Sequence, residues 1–183
     1  FDPANPFAAV SFFFLLMFFL LFVLADAISV AQTLVILGVG LALAPVGGFI
    51  ALTEKFEILP VIFGCIVLFW VSGFDIIYSL QDEEFDRSNN LKSIPVFLGK
   101  KNALRVSEVL HFLSAALVIA CFFIGHFNWI YIAGAFLFCG LLFYQHTLVK
   151  PNDLSKVNIA FMTSNGIASV VFSIFVCVDI FIF

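Results

Sequence analysis

Charged side chains are scarce in this 183-residue chain. They make up 11% of it, 8 basic and 12 acidic, against roughly 25% in an average soluble domain. That proportion excludes a water-soluble globule, and a net charge of −4 with no basic stripe excludes a nucleic-acid partner. Cysteine is sparse as well. Cys65, Cys121, Cys139 and Cys177 are scattered through apolar runs without CxxC spacing, which leaves them as small buried hydrophobes and excludes disulfides and thiolate metal sites. His111, His126 and His146 share no ligand spacing and are expected at membrane interfaces. The alternation of a membrane barrel, about ten residues per strand, is missing, and so is any repeat of roughly 20–50 residues. No basic n-region precedes the first apolar run, so a signal peptide is not expected. The chain starts at Phe1, as expected of a sequence that begins inside a longer protein.

What is there is apolar surface: 63% of residues are hydrophobic, 27 of them Phe, and the mean hydropathy is +1.19. The apolar residues fall in runs of about twenty, the length that crosses a hydrocarbon core of roughly 30 Å. In lipid the backbone must satisfy its own hydrogen bonds, so such runs are helices. The expected fold is all-α, a polytopic transmembrane bundle forming one domain over residues 1–183. Its six spans are expected at residues 7–25, 33–52, 57–81, 102–124, 128–148 and 157–183. Pro45-Val46-Gly47-Gly48 predicts a kink in the second span and a close helix approach there. Trp129 and Tyr131 stand where an interfacial aromatic belt is expected, and Trp70 in mid-span. Arg87, Lys92, Lys100, Lys101 and Arg105 follow the third span, and Lys150 and Lys156 follow the fifth. Two spans separate these connections, so both are predicted on the cytoplasmic side, with only Lys55 opposite.

Eleven of the charged residues lie between Asp75 and Glu108. The third span ends Asp75-Ile-Ile-Tyr78-Ser-Leu-Gln-Asp82-Glu-Glu-Phe-Asp86-Arg87. On a continuous helix the offsets of 7 and 11 from Asp75 return to within about 20° of it, so Asp75, Asp82 and Asp86 would form one row rising about 16 Å. Glu83 and Glu84 point elsewhere and are expected in solvent. A carboxylate row starting inside an apolar span costs insertion energy and self-repulsion unless a cation intervenes. Hard oxygens suit Mg²⁺, which bridges one or two carboxylates to substrate phosphates.

Asp75 to Asp86, followed by Leu91-Lys92-Ser93-Ile94-Pro95, resembles the second aspartate-rich motif of the UbiA superfamily of intramembrane prenyltransferases. Gly40-Leu-Ala-Leu-Ala-Pro45-Val-Gly47 resembles the segment one helix earlier in that family. The resemblance runs from about residue 34 to the C-terminus and points to the 4-hydroxybenzoate polyprenyltransferase type, with relatives in quinone biosynthesis. It implies nine helices around a cavity, with two aspartate motifs facing each other at the cytoplasmic mouth of what would be a bacterial inner-membrane protein. It further implies that Asp75, Asp82 and Asp86 hold Mg²⁺ against a prenyl diphosphate. Tyr78 would line the cavity beside the isoprenyl C1 atom as the catalytic aromatic residue, stabilising positive charge through its π face. Lys92 would contact the diphosphate. The prenyl cation would then attack an aromatic acceptor, with the connection between Asp82 and Lys101 closing as a lid.

The first motif of that family is represented only by Phe1-Asp2-Pro3-Ala4-Asn5-Pro6, which makes Asp2 its last carboxylate and a further Mg²⁺ ligand. For Asp2 and Asp75 to share a metal an even number of helices must separate them, and the sequence supplies three. A helix is therefore expected to be missing near residues 26–32, and the chain is expected to be the C-terminal part of the enzyme. The rival expectations are a transporter or channel using the Asp75/Asp82/Asp86 row as an ion path, and a membrane anchor subunit. A channel predicts acids in several spans; besides Asp75, only Asp179 lies well inside one.

Overall fold

The computed structural model describes residues 30–183, with side chains from residue 38 onward. The expected first span at 7–25, Asp2, and residues 26–29 of the expected gap lie outside the described residues. The described chain forms α1 (Val30–Thr53), α2 (Ile58–Ser79), α3 (Glu83–Ser88), α4 (Ile94–Ile124), α5 (Trp129–Leu148), a π-helical turn (Ile159–Ser164) and α6 (Asn165–Ile182). No strand forms among the described residues. Four helical segments are long and apolar enough to cross a membrane: Ile58–Ser79, Ile94–Ile124, Trp129–Leu148 and Ile159–Ile182. The protein is an all-α polytopic membrane bundle, and α1 covers the span expected at 33–52.

Apolar side chains do not drive helices together inside lipid, so interhelical contact rests on small residues and hydrogen bonds. The α2–α4 pair illustrates both. Ser107 donates to the Gly73 carbonyl at 2.6 Å, and Ser114 donates to the Ile66 carbonyl at 3.1 Å. His111 Nε2 lies 3.2 Å from the Trp70 carbonyl between them. These three side chains, spaced four and three residues apart, zip one face of α4 antiparallel to α2. Gly73 makes the approach possible, since a Cβ there would strike the His111 ring. The α1–α2 contact likewise depends on Gly64, where a Cβ would sit 2.5 Å from the Ala42 carbonyl oxygen. The Pro45-Val46-Gly47-Gly48 segment adjoins this contact: Val46 lies 3.7 Å from the same Cβ position and, like Gly47, is buried. The helix continues through Pro45, and Gly48 has open space beside it.

Asp179 on α6 ties the opposite end of the bundle. It is 2% exposed and accepts the backbone N–H groups of Asn128 at 2.8 Å and Tyr131 at 3.0 Å. Those are orphan donors of the first turn of α5, so a side chain from another helix performs the N-terminal cap. Tyr131 does not join an interfacial belt. It is fully buried and donates its hydroxyl to the Val118 carbonyl at 2.7 Å, whereas Trp129 is exposed as expected.

The third span ends sooner than expected. Residues 80–82 form a turn in which Gln81 and Asp82 bond back three residues, to the carbonyls of Tyr78 and Ser79. A new helix, α3, then starts at Glu83. Its first turn carries Glu83, Glu84 and Asp86, and acids are favoured at a fresh helix N-terminus and disfavoured in mid-helix. Glu83 is not a solvated bystander: it pairs with Arg87 and, at 3.4 Å, with Lys100, joining α3 to α4. Helix α4 begins at Ile94, eight residues earlier than expected, with Pro95 in its first turn and a kink at Gly99, whose φ of 74° suits glycine. In the connection after α5 the Ser155 hydroxyl and amide donate to Asp153 and hold its carboxyl below the usual range.

Candidate active site

Asp75 sits in the last turn of α2 and is 7% exposed. Its Oδ2 atom is buried with no hydrogen-bond partner, and it forms no ion pair among the described residues. A carboxylate oxygen in that position needs a proton or a cation, because burying it unpaired is costly. Three residues on, Tyr78 is 42% exposed and lies against Phe161 of the π-helical turn, with ring centroids 4.4 Å apart and planes inclined by 34°. Phe161 also meets Phe74 edge-on at 5.3 Å, and Phe74 meets Trp70 at 5.8 Å. Trp70, Phe74 and Tyr78 recur every four residues, so one face of α2 is a continuous aromatic stripe ending beside Asp75.

The break after Ser79 disperses the other expected ligands. Asp82 is exposed in the turn, while Asp86 is buried on α3. The single straight row predicted for Asp75, Asp82 and Asp86 is therefore replaced by two helices meeting at a turn. All three aspartates remain at one end of the bundle, but no cluster of three metal-ligating side chains forms among the described residues. Lys92 is exposed in the connection between α3 and α4. The donor set still fits a hard cation that takes one or two protein carboxylates and draws its remaining ligands from water and phosphate, and the orphaned Oδ2 of Asp75 is the observation that favours it.

Below the aspartates Trp70 Nε1 donates to Asn165 Oδ1 at 3.2 Å, linking α2 to α6 across the bundle. Beneath that bond lies a cavity of about 250 Å³ between α2, α5 and α6, lined by Phe63, Trp70, Phe138, Ser169, Phe172 and Val176 among others. On the other side of Trp70, His111 and His146 approach at 2.7 Å, and Gln145 lies 3.1 Å from His111 Nδ1. This corrects the interface expectation for His111, which is 3% exposed and part of a buried polar cluster with His146, whereas His126 is exposed in the turn after α4. Asp179, the other acid in a span, is committed to its cap.

Phe161, Asn165, His111 and His146 were not among the sequence-derived site residues. Phe161 is one of 27 Phe, and nothing in its neighbours signals that a π-helical turn presents it to Tyr78. Asn165 did carry a signal, as an amide in an apolar run four residues beyond Phe161.

The UbiA prenyltransferase family matches residues 3–167. The chain belongs to this family. Among UbiA relatives, the 4-hydroxybenzoate octaprenyltransferase of Francisella tularensis subsp. mediasiatica (strain FSC147) is 29% identical over 127 residues, 69% of this chain and 44% of that protein. The proteins of the same name in subsp. holarctica (strain LVS) and subsp. tularensis (strain WY96-3418) match equally, covering 44% and 43% of their lengths. The chain thus spans less than half the length of these curated UbiA relatives. No solved structure matches it.

Proposed function

We propose that the protein is an aromatic prenyltransferase that moves a polyprenyl group from a prenyl diphosphate to a phenolic acceptor such as 4-hydroxybenzoate, in quinone biosynthesis. The reading rests on family membership, on the acceptor that the relatives' name carries, and above all on Asp75. Its unpartnered oxygen, at the end of an aromatic stripe, is the observation that carries the proposal. The setting is a bacterial inner membrane with the connection between Asp82 and Lys101 in the cytoplasm.

In this reading Asp75 would hold Mg²⁺ together with Asp82 or Asp86 at the same end of the bundle, and Asp2 would join them only where a further helix brings it to that side. The metal, when bound, neutralises the departing diphosphate as a Lewis acid. Lys92 adds a mobile cation to the diphosphate from the connection above. The bond between the prenyl C1 and the diphosphate oxygen breaks, a carbon–carbon bond forms ortho to the phenol, and the ring proton is released. Tyr78, held by Phe161, presents its π face to the developing allylic cation. The apolar lining below keeps water away from that cation.

The test is product formation by the purified protein given farnesyl diphosphate, 4-hydroxybenzoate and MgCl₂, followed by chromatography. A prenylated hydroxybenzoate that disappears on chelation is the expected result. Absence of any prenylated phenol across several chain lengths and acceptors would overturn the proposal.

A further inference from the structure

Asn165 is 7% exposed and stands four residues after Phe161 on the same side of the bundle. Its orientation is unambiguous. An indole N–H only donates, so the bond from Trp70 Nε1 identifies the amide oxygen as the end that accepts it. The other end, Nδ2, carries two N–H donors and is buried without a partner among the described residues. A buried donor left unpaired among aromatic rings is costly, and here the cost sits beside the cavity, one turn before Ser169, which lines it.

Three features limit what can relieve it. Nδ2 only donates, so it calls for an acceptor atom and excludes a cation. Trp70, which holds the other end of the amide, lines the apolar cavity with Phe138 and Phe172, so the acceptor atom must arrive on a flat apolar body. Phe161 and Asn165 lie four residues apart, Phe161 within the π-helical turn and Asn165 just past its end. Such turns occur frequently at functional sites.

We propose that Asn165 recognises the aromatic acceptor, donating a hydrogen bond from Nδ2 to an oxygen substituent on the ring while the ring lies in the cavity against Trp70 and Phe172. The assignment rests on the aromatic prenyltransferase reading and names a residue that selects its second substrate. Trp70 acts as the positioning residue, fixing which end of the amide is free.

The experiment measures binding without turnover. Trp70 and Trp129 are the chain's two tryptophans, and Trp129 is exposed far from the site. In a Trp129→Phe background, emission from Trp70 reports the titration of 4-hydroxybenzoate, 4-methylphenol, benzoate and toluene. Asn165→Ala, and the similarly shaped Asn165→Leu in case the smaller side chain loosens the bundle, are each expected to weaken 4-hydroxybenzoate at least tenfold and leave toluene unchanged. Weakening of benzoate alone assigns the carboxylate as the bonded oxygen, and weakening of 4-methylphenol alone assigns the hydroxyl. Equal loss for toluene, no loss for any oxygenated probe, or no response of the Asn165-containing protein to any probe overturns the inference. If the probes bind through Asn165 and no prenyl transfer occurs, the functional reading falls and the binding assignment stands. If transfer occurs with KM for 4-hydroxybenzoate unmoved in both variants, the assignment falls alone.

Discussion

Tyr78 and Phe161 stack across the bundle at 4.4 Å, one from the last turn of α2 and the other from the π-helical turn that precedes α6. The pair holds a half-exposed tyrosine ring in one orientation beside Asp75. Such aromatic pairs contribute about 1 kcal/mol beyond the area they bury. Phe161→Ala is therefore expected to lower stability by at least that amount, since it also gives up the packing on Phe74, and to lower kcat more than it raises KM for the prenyl diphosphate. Phe161→Tyr, which keeps the ring, is expected to restore both. Steady-state kinetics with a thermal unfolding curve for each variant checks the pair.

At the opposite end, Asp179 satisfies two backbone donors of α5 from a different helix. Hydrogen bonds to a charged acceptor contribute about 1.5–3 kcal/mol. Asp179→Ala is expected to cost roughly 2–3 kcal/mol, because it strands both amides in a buried position. Denaturation in detergent reads the loss, and KM for either substrate should not move. A cap that stabilises without touching the site predicts that separation.

Two glycines give opposite expectations for the same substitution. Gly73→Ala places a methyl group in the His111 ring and pushes apart the α2–α4 zipper; overpacking of this kind costs about 1–3 kcal/mol. Gly140, in mid-α5, has nothing among the described residues within 4 Å of the added Cβ. Gly140→Ala is expected to be neutral or to stabilise by about 0.5–1 kcal/mol through helix propensity alone. Unfolding of the two variants side by side measures the contrast.

The helices were legible because lipid leaves few choices to a run of twenty apolar residues. The membrane-spanning segments at Ile58–Ser79 and Trp129–Leu148 fall within a few residues of their expected bounds. Asp75 and Tyr78 stand out in the sequence because a carboxylate and a phenol inside such a run are conspicuous, and the structure places them one turn apart at the end of α2. What stayed hidden depends on which faces meet. The carboxylate row assumed one helix through Asp86, and the chain instead restarts at Glu83, where a new N-terminus accommodates the acids. His111 and His146 are 35 residues apart and become a pair only through the α4–α5 packing. Asp179 looked like a stray acid because its partners are amides of Asn128 and Tyr131, and a backbone donor has no letter in a sequence.

Asp75→Asn tests the central claim most directly, since the amide keeps the shape of the side chain and removes its charge. Prenyl transfer to 4-hydroxybenzoate is measured for both proteins as MgCl₂ is titrated and then removed with EDTA, with thermal unfolding recorded alongside. If Asp75 holds the metal, the variant unfolds no earlier than its parent in EDTA, where an unpaired buried carboxylate is gone, and gains less stability from added Mg²⁺. Its turnover falls about 100-fold or more, corresponding to the loss of roughly 3 kcal/mol of charge stabilisation, and the remaining activity needs more Mg²⁺. Asp75→Asn protein that prenylates at the parental rate with the same Mg²⁺ dependence would contradict the account.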